Sequence, residues 1–173
     1  MTLRVAIRPV SDADGPELIA ANLASIHVHE PWVYPCRDAV SFQAYLARSD
    51  GERSLGFIAR ERESRRIVGV VNLNEIVRGL FQSAYLGYYG MAGWQGRGLM
   101  SEAVALVVAH AFEGLGLHRI EANIQPGNMS SRALAKRLGF RQEGYSPRYL
   151  RIGGEWRDHE RWAILSEEWR ERA

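Results

Sequence analysis

The sequence predicts a mixed α/β or α+β fold built on a single sheet. Strand-like alternation and helical spacing both occur, in the order strands, then strand–helix–strand–helix–strand. The segments are short and closed by glycine, proline or charged turns. The length of 173 residues, with 46% hydrophobic and 24% charged, suits one core. A chain of this size buries about 70% of its unfolded surface, so residues 1–173 read as one domain.

Each element follows from its pattern. Leu3–Pro9 alternates Leu3, Val5 and Ile7 against Thr2, Arg4 and Arg8, a strand that Pro9 closes. Ser11 or Asp12 then caps a helix carrying Leu18, Ile19, Asn22, Leu23 and Ile26 at helical spacing. His27–Arg37, with two prolines and two aromatics, reads as a loop, and Asp38–Arg48 as a second short helix. Ser54–Arg60, Arg66–Val77 and Ala84–Met91 are strand-like; Glu61–Arg65 and the Gly79 region turn between them. After the loop Ala92–Arg97, a helix runs from Leu99 to about Leu115, where Gly114 and Gly116 stop it. Arg119–Gln125 is a short strand and Asn128–Leu138 a helix ended by Gly139. Phe140–Ile152 and Glu155–Leu165 form a hairpin around Gly153-Gly154.

Composition excludes several classes. The 22 basic and 20 acidic residues leave +2, too little for a nucleic-acid face. Cys36 is the single cysteine and cannot form an intramolecular disulfide. No secretory signal pattern opens the chain, and the apolar run Ala103–Ala109 is far short of the roughly 18 residues of a membrane span. A soluble, cytoplasmic protein without nucleic-acid or membrane partners is expected. His27, His29, His110, His118 and His159 have no Cys partner and no His-Glu-x-x-His run, so no metal is expected.

The segment from Tyr85 to Ser101 is the most informative. A strand enters a glycine-containing loop, and the loop enters a helix directly. Gly96 and Gly98 allow a tight turn and close approach of a ligand. The first N–H groups of the helix have no internal partner and lie at its positive end, which suits a phosphate or pyrophosphate. The Gly-Lys-Ser/Thr of a P-loop and the three glycines of a dinucleotide fingerprint are both missing. A glycine-rich turn without a ligand has the same pattern. Glu102, in the first turn of the helix, is placed favourably for the dipole rather than for catalysis.

Gln95-Gly96-Arg97-Gly98-Leu99-Met100 resembles the acyl-CoA pyrophosphate loop of the GNAT acetyltransferases, written Gln/Arg-x-x-Gly-x-Gly/Ala, with Met100 departing at the last position. Asn128-x-x-Ser131, then Leu134 and Leu138-Gly139-Phe140, resembles the other cofactor-contacting helix of that family. Val77-Arg78-Gly79, Tyr85-Leu86-Gly87-Tyr88, the segment from Trp94 to Met100 and the run from Gly154 to His159 narrow the likeness. They resemble the RimJ/RimL branch, which acetylates N-terminal α-amines of ribosomal proteins, with the alanine-directed RimJ subgroup the nearer. The likeness covers about Val70 to Trp169.

The resemblance implies the GNAT acyl-CoA N-acyltransferase fold, a central, mostly antiparallel sheet with two splayed parallel strands and flanking helices. It implies acetyl-CoA as co-substrate and no metal. Tyr88 and Gly90 would offer backbone partners to the pantetheine arm, and backbone amides of Gln95, Gly96, Arg97, Gly98, Leu99, Met100 and Ser101 would hold the pyrophosphate. Asn128 and Ser131 would meet the cofactor across the gap. Lys136 and Arg137 reach the 3′-phosphate or form a solvated face.

Many relatives use a tyrosine acid seven residues after the helix asparagine; that position is Ala135. Ser131 matches the serine acid of RimL-like proteins, or only touches the cofactor. Where those proteins carry a glutamate base stands Ala92, which leaves Glu75 as the candidate base or as an exposed strand carboxylate. Trp32, Tyr34 and Glu30 line a peptide groove or anchor their loop. Asp158 pairs with the acceptor ammonium or, more in keeping with its neighbours, with Arg157 or Arg148.

An α-amine of pKa near 7.8 is roughly 15% neutral at pH 7, a lysine near 10.4 about 0.04%, so deprotonation costs about 1 against about 4.6 kcal/mol. A site without a clear carboxylate base therefore suits an α-amine, and a protein N-terminus is the expected acceptor. A small amine such as a polyamine, amino acid or antibiotic is the alternative. A non-catalytic acyl-CoA-binding regulatory module is the second. The chain is expected to be a monomer or homodimer.

Overall fold

A computed structural model describes residues 3–171. Thr2, assigned above to the outward set of the first strand, lies outside the described residues. Seven strands and six helices follow one another as β1 (Val5–Pro9), α1 (Gly15–Ala24), α2 (Ile26–His29), α3 (Ala39–Arg48), β2 (Leu55–Glu61), β3 (Ile67–Val77) and β4 (Ser83–Gly90). The chain continues with α4 (Leu99–Ala109), β5 (Arg119–Ile124), α5 (Met129–Arg137), β6 (Arg141–Ile152), β7 (Glu155–Leu165) and α6 (Ser166–Arg170). The predicted strands and longer helices are present with ends shifted by up to two residues, except that the helix expected from Ser11 or Asp12 through Ile26 begins at Gly15 after a 3-10 turn and ends at Ala24, with Ile26 opening α2. The helix expected to reach Leu115 loosens after Ala109 into a π turn, His110–Gly114. Two one-turn helices, α2 and α6, were not expected: α2 lies partly in the predicted loop.

The strands form one sheet in the order β1-β2-β3-β4-β5-β7-β6. All neighbours are antiparallel except β4 and β5. That parallel pair is joined only over Ser83–Tyr85 and Arg119–Glu121. Beyond it β4 stays paired with β3 as far as Gly90, and β5 stays paired with β7 as far as Ile124. The two strands therefore diverge, leaving backbone N–H and C=O groups along their inner edges without a strand partner.

Alternation sends side chains to opposite faces. Ala84 and Leu86 of β4 and Ile120, Ala122 and Ile124 of β5 join the core under α4. That helix buries Leu99, Ala103, Val104, Val107 and Val108, each valine contributing about 1.5–3 kcal/mol by burial. The other face carries a second core in which Leu18 and Phe42 pack on Ile58 and Val70. A 3-10 turn, Asp12–Asp14, leads into α1. There Asp14 accepts from Arg8 of β1, from Arg60 of β2 and from the backbone of Ser11.

Candidate active site

A cleft of about 720 Å3 opens where β4 and β5 part, and it is lined from both faces of the sheet. On the α4 and α5 side stand Gln95, Gly96, Gly98, Leu99, Met100, Ser101, Asn128 and Ser131, together with Tyr88 and Gly90 of β4. Gly96 (φ 73°) and Gly98 (φ 77°) adopt the left-handed conformation, and Gly98 is the N-cap of α4. The loop thus delivers the open N–H groups of an eleven-residue helix to one end of the cleft. Arg97 differs from its neighbours: its guanidinium lies 5.1 Å from the Trp94 ring centroid, outside the cleft lining, and its carbonyl accepts from Arg4 Nη1 at 3.1 Å.

Glu102 ties this loop to β1. Its Oε1 accepts from the backbone N–H of Val5 at 2.7 Å and of Arg4, and its Oε2 from Arg4 Nε at 3.3 Å. Met100, the departure from the family pattern, lies over two glycines of paired strands. A Cβ on Gly69 would meet Met100 Sδ at 2.2 Å, and one on Gly90 would meet Met100 Cγ at 3.1 Å. The larger side chain fits because those two have none.

Across the cleft, Asn128 caps α5: its Oδ1 accepts from Ser131 N at 3.2 Å. Ser131 Oγ donates to Tyr88 Oη at 2.8 Å, and Tyr88 Oη donates back to the Ser131 carbonyl at 3.2 Å. Burial pushes the Tyr88 hydroxyl up to about 12 against the opposing bond from Ser131, so it remains a proton donor at neutral pH. Arg137 Nη1 donates to Ser101 Oγ at 3.0 Å, joining α5 to the start of α4. Ala135 is buried in the core, so no acid occupies that position.

The opposite side of the cleft is built by α2, the loop after it, and β3, β5, β6 and β7. His29 Nε2 contacts the Gly90 carbonyl at 2.8 Å and its ring meets Tyr89 edge-on at 5.0 Å. Trp32 lines the cleft and covers Gly127, where a Cβ would meet it at 3.1 Å; its carbonyl accepts from Gln125 Nε2 at 3.2 Å. Tyr34 packs on the Gly153 backbone in the β6–β7 turn. The Trp32–Tyr34 loop therefore roofs this side.

Glu75 is not brought to the cleft. Its backbone turns left-handed (φ 47°) at a register break in β3, so the alternation fails there. The carboxylate, 64% exposed, pairs with Arg53 at 3.2 Å beside a smaller second pocket. The Ala92 N–H donates to Ser25 Oγ at 2.9 Å. Asp158 clamps the hairpin by accepting from Arg148 N at 2.8 Å and from Tyr145 Oη, so it is bound by backbone and hydroxyl rather than by an arginine side chain.

Among the described residues no carboxylate lines the cleft. His159, which the sequence marks as one of several scattered histidines and as the end of the family-like run from Gly154, and Asn123, which no motif in the sequence marks, both face the cleft. The signal available was parity. Asn123 pairs with Arg161 across β5 and β7, so His159 at the next position but one shares its face. No group of three or more metal-ligating side chains occurs among the described residues, and no helix there is long and apolar enough to cross a membrane.

Comparison with known proteins agrees with this geometry. The family described as "Acetyltransferase (GNAT) domain" matches residues 4–141. An Escherichia coli protein named [Ribosomal protein uS5]-alanine N-acetyltransferase is 35% identical over 97% of this chain and 91% of its own length. Mycobacterium smegmatis RimJ in complex with CoA-disulfide superposes with a TM-score of 0.86 at 33% identity, covering 95% of this chain and 83% of that one. The ribosomal-protein-S5-alanine acetyltransferase of Vibrio fischeri gives 0.84 at 26% identity, covering 98% and 97%. With the strand divergence, the glycine loop and the Asn128–Ser131 cap all in place, the chain belongs to the GNAT acetyltransferase family.

Proposed function

We propose that this chain moves the acetyl group of acetyl-CoA to the N-terminal α-amine of a protein, an alanine terminus of a ribosomal protein first of all, by direct attack of the neutral amine. The whole of residues 1–173 acts as one acetyltransferase domain in the cytoplasm, where that acceptor is made. The observation that carries the reading is a cleft that no carboxylate lines among the described residues. A polyamine brings two or more positive charges and needs acidic side chains to replace its water. An α-amine brings one, on a group already roughly 15% neutral at pH 7. The similarity to two alanine N-acetyltransferases supports the same acceptor.

On this reading the open inner edges of β4 and β5, with the backbone of Tyr88 and Gly90, take the amides of the pantetheine arm. The N–H groups from Gln95 to Ser101 hold the pyrophosphate, as a helix N-terminus does. Arg137, already at Ser101, adds positive charge at that end. Asn128 caps α5 with its oxygen and offers its NH2 to the cofactor. Ser131, backed by Tyr88, supplies the proton that the departing thiolate takes.

The test is thiol release from acetyl-CoA with peptides beginning Ala, Ser or Met, beside an N-blocked lysine peptide and spermidine. The Ala peptide should be turned over with the highest kcat/KM. Preference for spermidine or lysine would overturn the acceptor, and cofactor binding without turnover of any amine would overturn the acetyl transfer.

A further inference from the structure

We propose that His159 is the general base of this reaction and that Asn123 holds the acceptor nitrogen beside it. Nε2 of His159 and Oδ1 of Asn123 are the two acceptor atoms of an ammonium cradle on the sheet face away from the cofactor loop. The proposal rests on the acetyl-transfer reading above and deepens it by naming what receives the amine.

The ring of His159 is fixed in one tautomer. Its Nδ1 contacts the Arg157 carbonyl at 2.9 Å, and a carbonyl only accepts, so the proton is on Nδ1 and the lone pair on Nε2. The residue is 2% exposed and lines the cleft. Asn123 lines the same cleft, and its Oδ1 is buried with no hydrogen-bond partner among the described residues. An unpaired buried amide oxygen costs about 1–3 kcal/mol, a cost that a bound N–H donor removes. Asn123 and His159 are diagonal neighbours on one face of the β5–β7 ladder, a relation that puts backbones about 7–8 Å apart. A single nitrogen fits between two side chains at that spacing.

The other candidates are ruled out by geometry. His29 has the mirror arrangement: its Nε2–H is spent on Gly90, and its Nδ1 lone pair is sealed from both solvent and partners. It positions the end of β4. Glu75 faces away, and no carboxylate among the described residues lines the cleft. Glu160, next to His159, projects to the opposite face, where Arg132 and Trp162 hold it.

Burial lowers the pKa of His159, against the Arg157 carbonyl and the Asp158 charge, which raise it. Asp158 is itself occupied by Tyr145 and the Arg148 N–H. From β6, Tyr149 faces the ring at 6.3 Å, and from β7 Arg161 shares its face. The balance keeps the imidazole neutral at pH 7, ready to accept a proton.

In the step, the acceptor R–NH3+ gives one proton to Nε2 and keeps the electron pair. That pair forms the C–N bond at the thioester carbonyl carbon, and the C–S bond then breaks with its pair on sulfur. The nitrogen loses its second proton to water as the amide forms, and Ser131 gives its hydroxyl proton to sulfur, which leaves as the thiol. Water returns a proton to Ser131, and the imidazolium gives its own proton to water, so that one proton is released per turnover.

The experiment compares wild type, His159→Gln and Asn123→Ala with an Ala-peptide acceptor. It measures kcat and KM across pH 5–9, and acetyl-CoA affinity by calorimetry. His159→Gln should lower kcat about 10²–10⁴-fold, the usual range for a lost general base. Its kcat should rise steadily with pH in place of the acid-side plateau edge, with acetyl-CoA affinity within twofold. Asn123→Ala should raise the peptide KM at least fivefold with the pH profile kept. His159→Gln retaining more than a third of kcat with its acid limb intact overturns the base assignment alone. An unchanged peptide KM in Asn123→Ala overturns the cradle, and that variant decides the matter if His159→Gln does not fold. A wild type that binds acetyl-CoA and turns over no amine overturns the underlying reading, and the proposal with it.

Discussion

Replacing Asp14 by Asn tests how the start of α1 is anchored to β1 and β2. Asp14 is 1% exposed and sits where β1, β2 and the start of α1 meet. Burial alone would raise its carboxyl, but hydrogen bonds from Arg8 and Ser11 outweigh it and hold the group down at about 2, from 3.8. At about 1.4 kcal/mol per pH unit, that difference stabilises the folded state by about 2.5 kcal/mol at neutral pH. The sign follows from the lowered value: the contribution is complete above pH 3.8 and fades as pH falls toward 2. The variant keeps the shape and loses the charge facing Arg8 and Arg60. For 173 residues the unfolding entropy is about 0.36 kcal/mol per degree, so Tm should drop about 7 °C at pH 7. Calorimetry or urea melts of both proteins at pH 7, 4 and 2.5 provide the assay, and the gap should narrow steadily below pH 4. A gap under about 0.5 kcal/mol at pH 7, or one that persists undiminished at pH 2.5, would refute the reasoning.

Three further outcomes are expected. Ser131→Ala should lower kcat more than tenfold while acetyl-CoA KM changes less than threefold; a kcat within threefold of wild type removes Ser131 as the acid. Glu75→Gln should leave the pH–rate profile unchanged, since the carboxylate pairs with Arg53 outside the cleft; a displaced acid limb would give the base role to Glu75. Gly69→Ala should destabilise the fold by about 1–3 kcal/mol through overpacking, read as a lower urea midpoint. Adding Met100→Ala should recover only part, because the Tyr89 carbonyl also stands 2.7 Å from the new Cβ.

Most of the sheet and the cofactor loop could be read from local pattern. The near-continuous β-branched run in Ile67–Val77 and the glycine stops after α4 and α5 are short-range signals, and tertiary packing reinforces them. One-turn helices such as α2 give no periodic signal, which is why His27–Arg37 reads as loop although α2 extends into it. Glu75 was a candidate only by elimination, and its left-handed backbone in a register break leaves it an exposed strand carboxylate, the other reading its position allowed. His159 was hidden for another reason. Alternation gives it a face, but only the parting of β4 from β5, a long-range event, puts a cleft on that face.

The three residue pairs that join β4 to β5 also divide the molecule mechanically. On one side lies a plate of four strands and on the other a plate of three, each paired strand to strand within itself. Of the strand-to-strand seams this one has the shortest ladder to break when the sheet breathes. A long, thin substrate can enter by such a flexing without any strand leaving its plate. In hydrogen exchange, inner-edge amides of Leu86–Gly90 and Ala122–Ile124 should exchange faster than those facing β3 and β7, and slow when acetyl-CoA bridges the two plates.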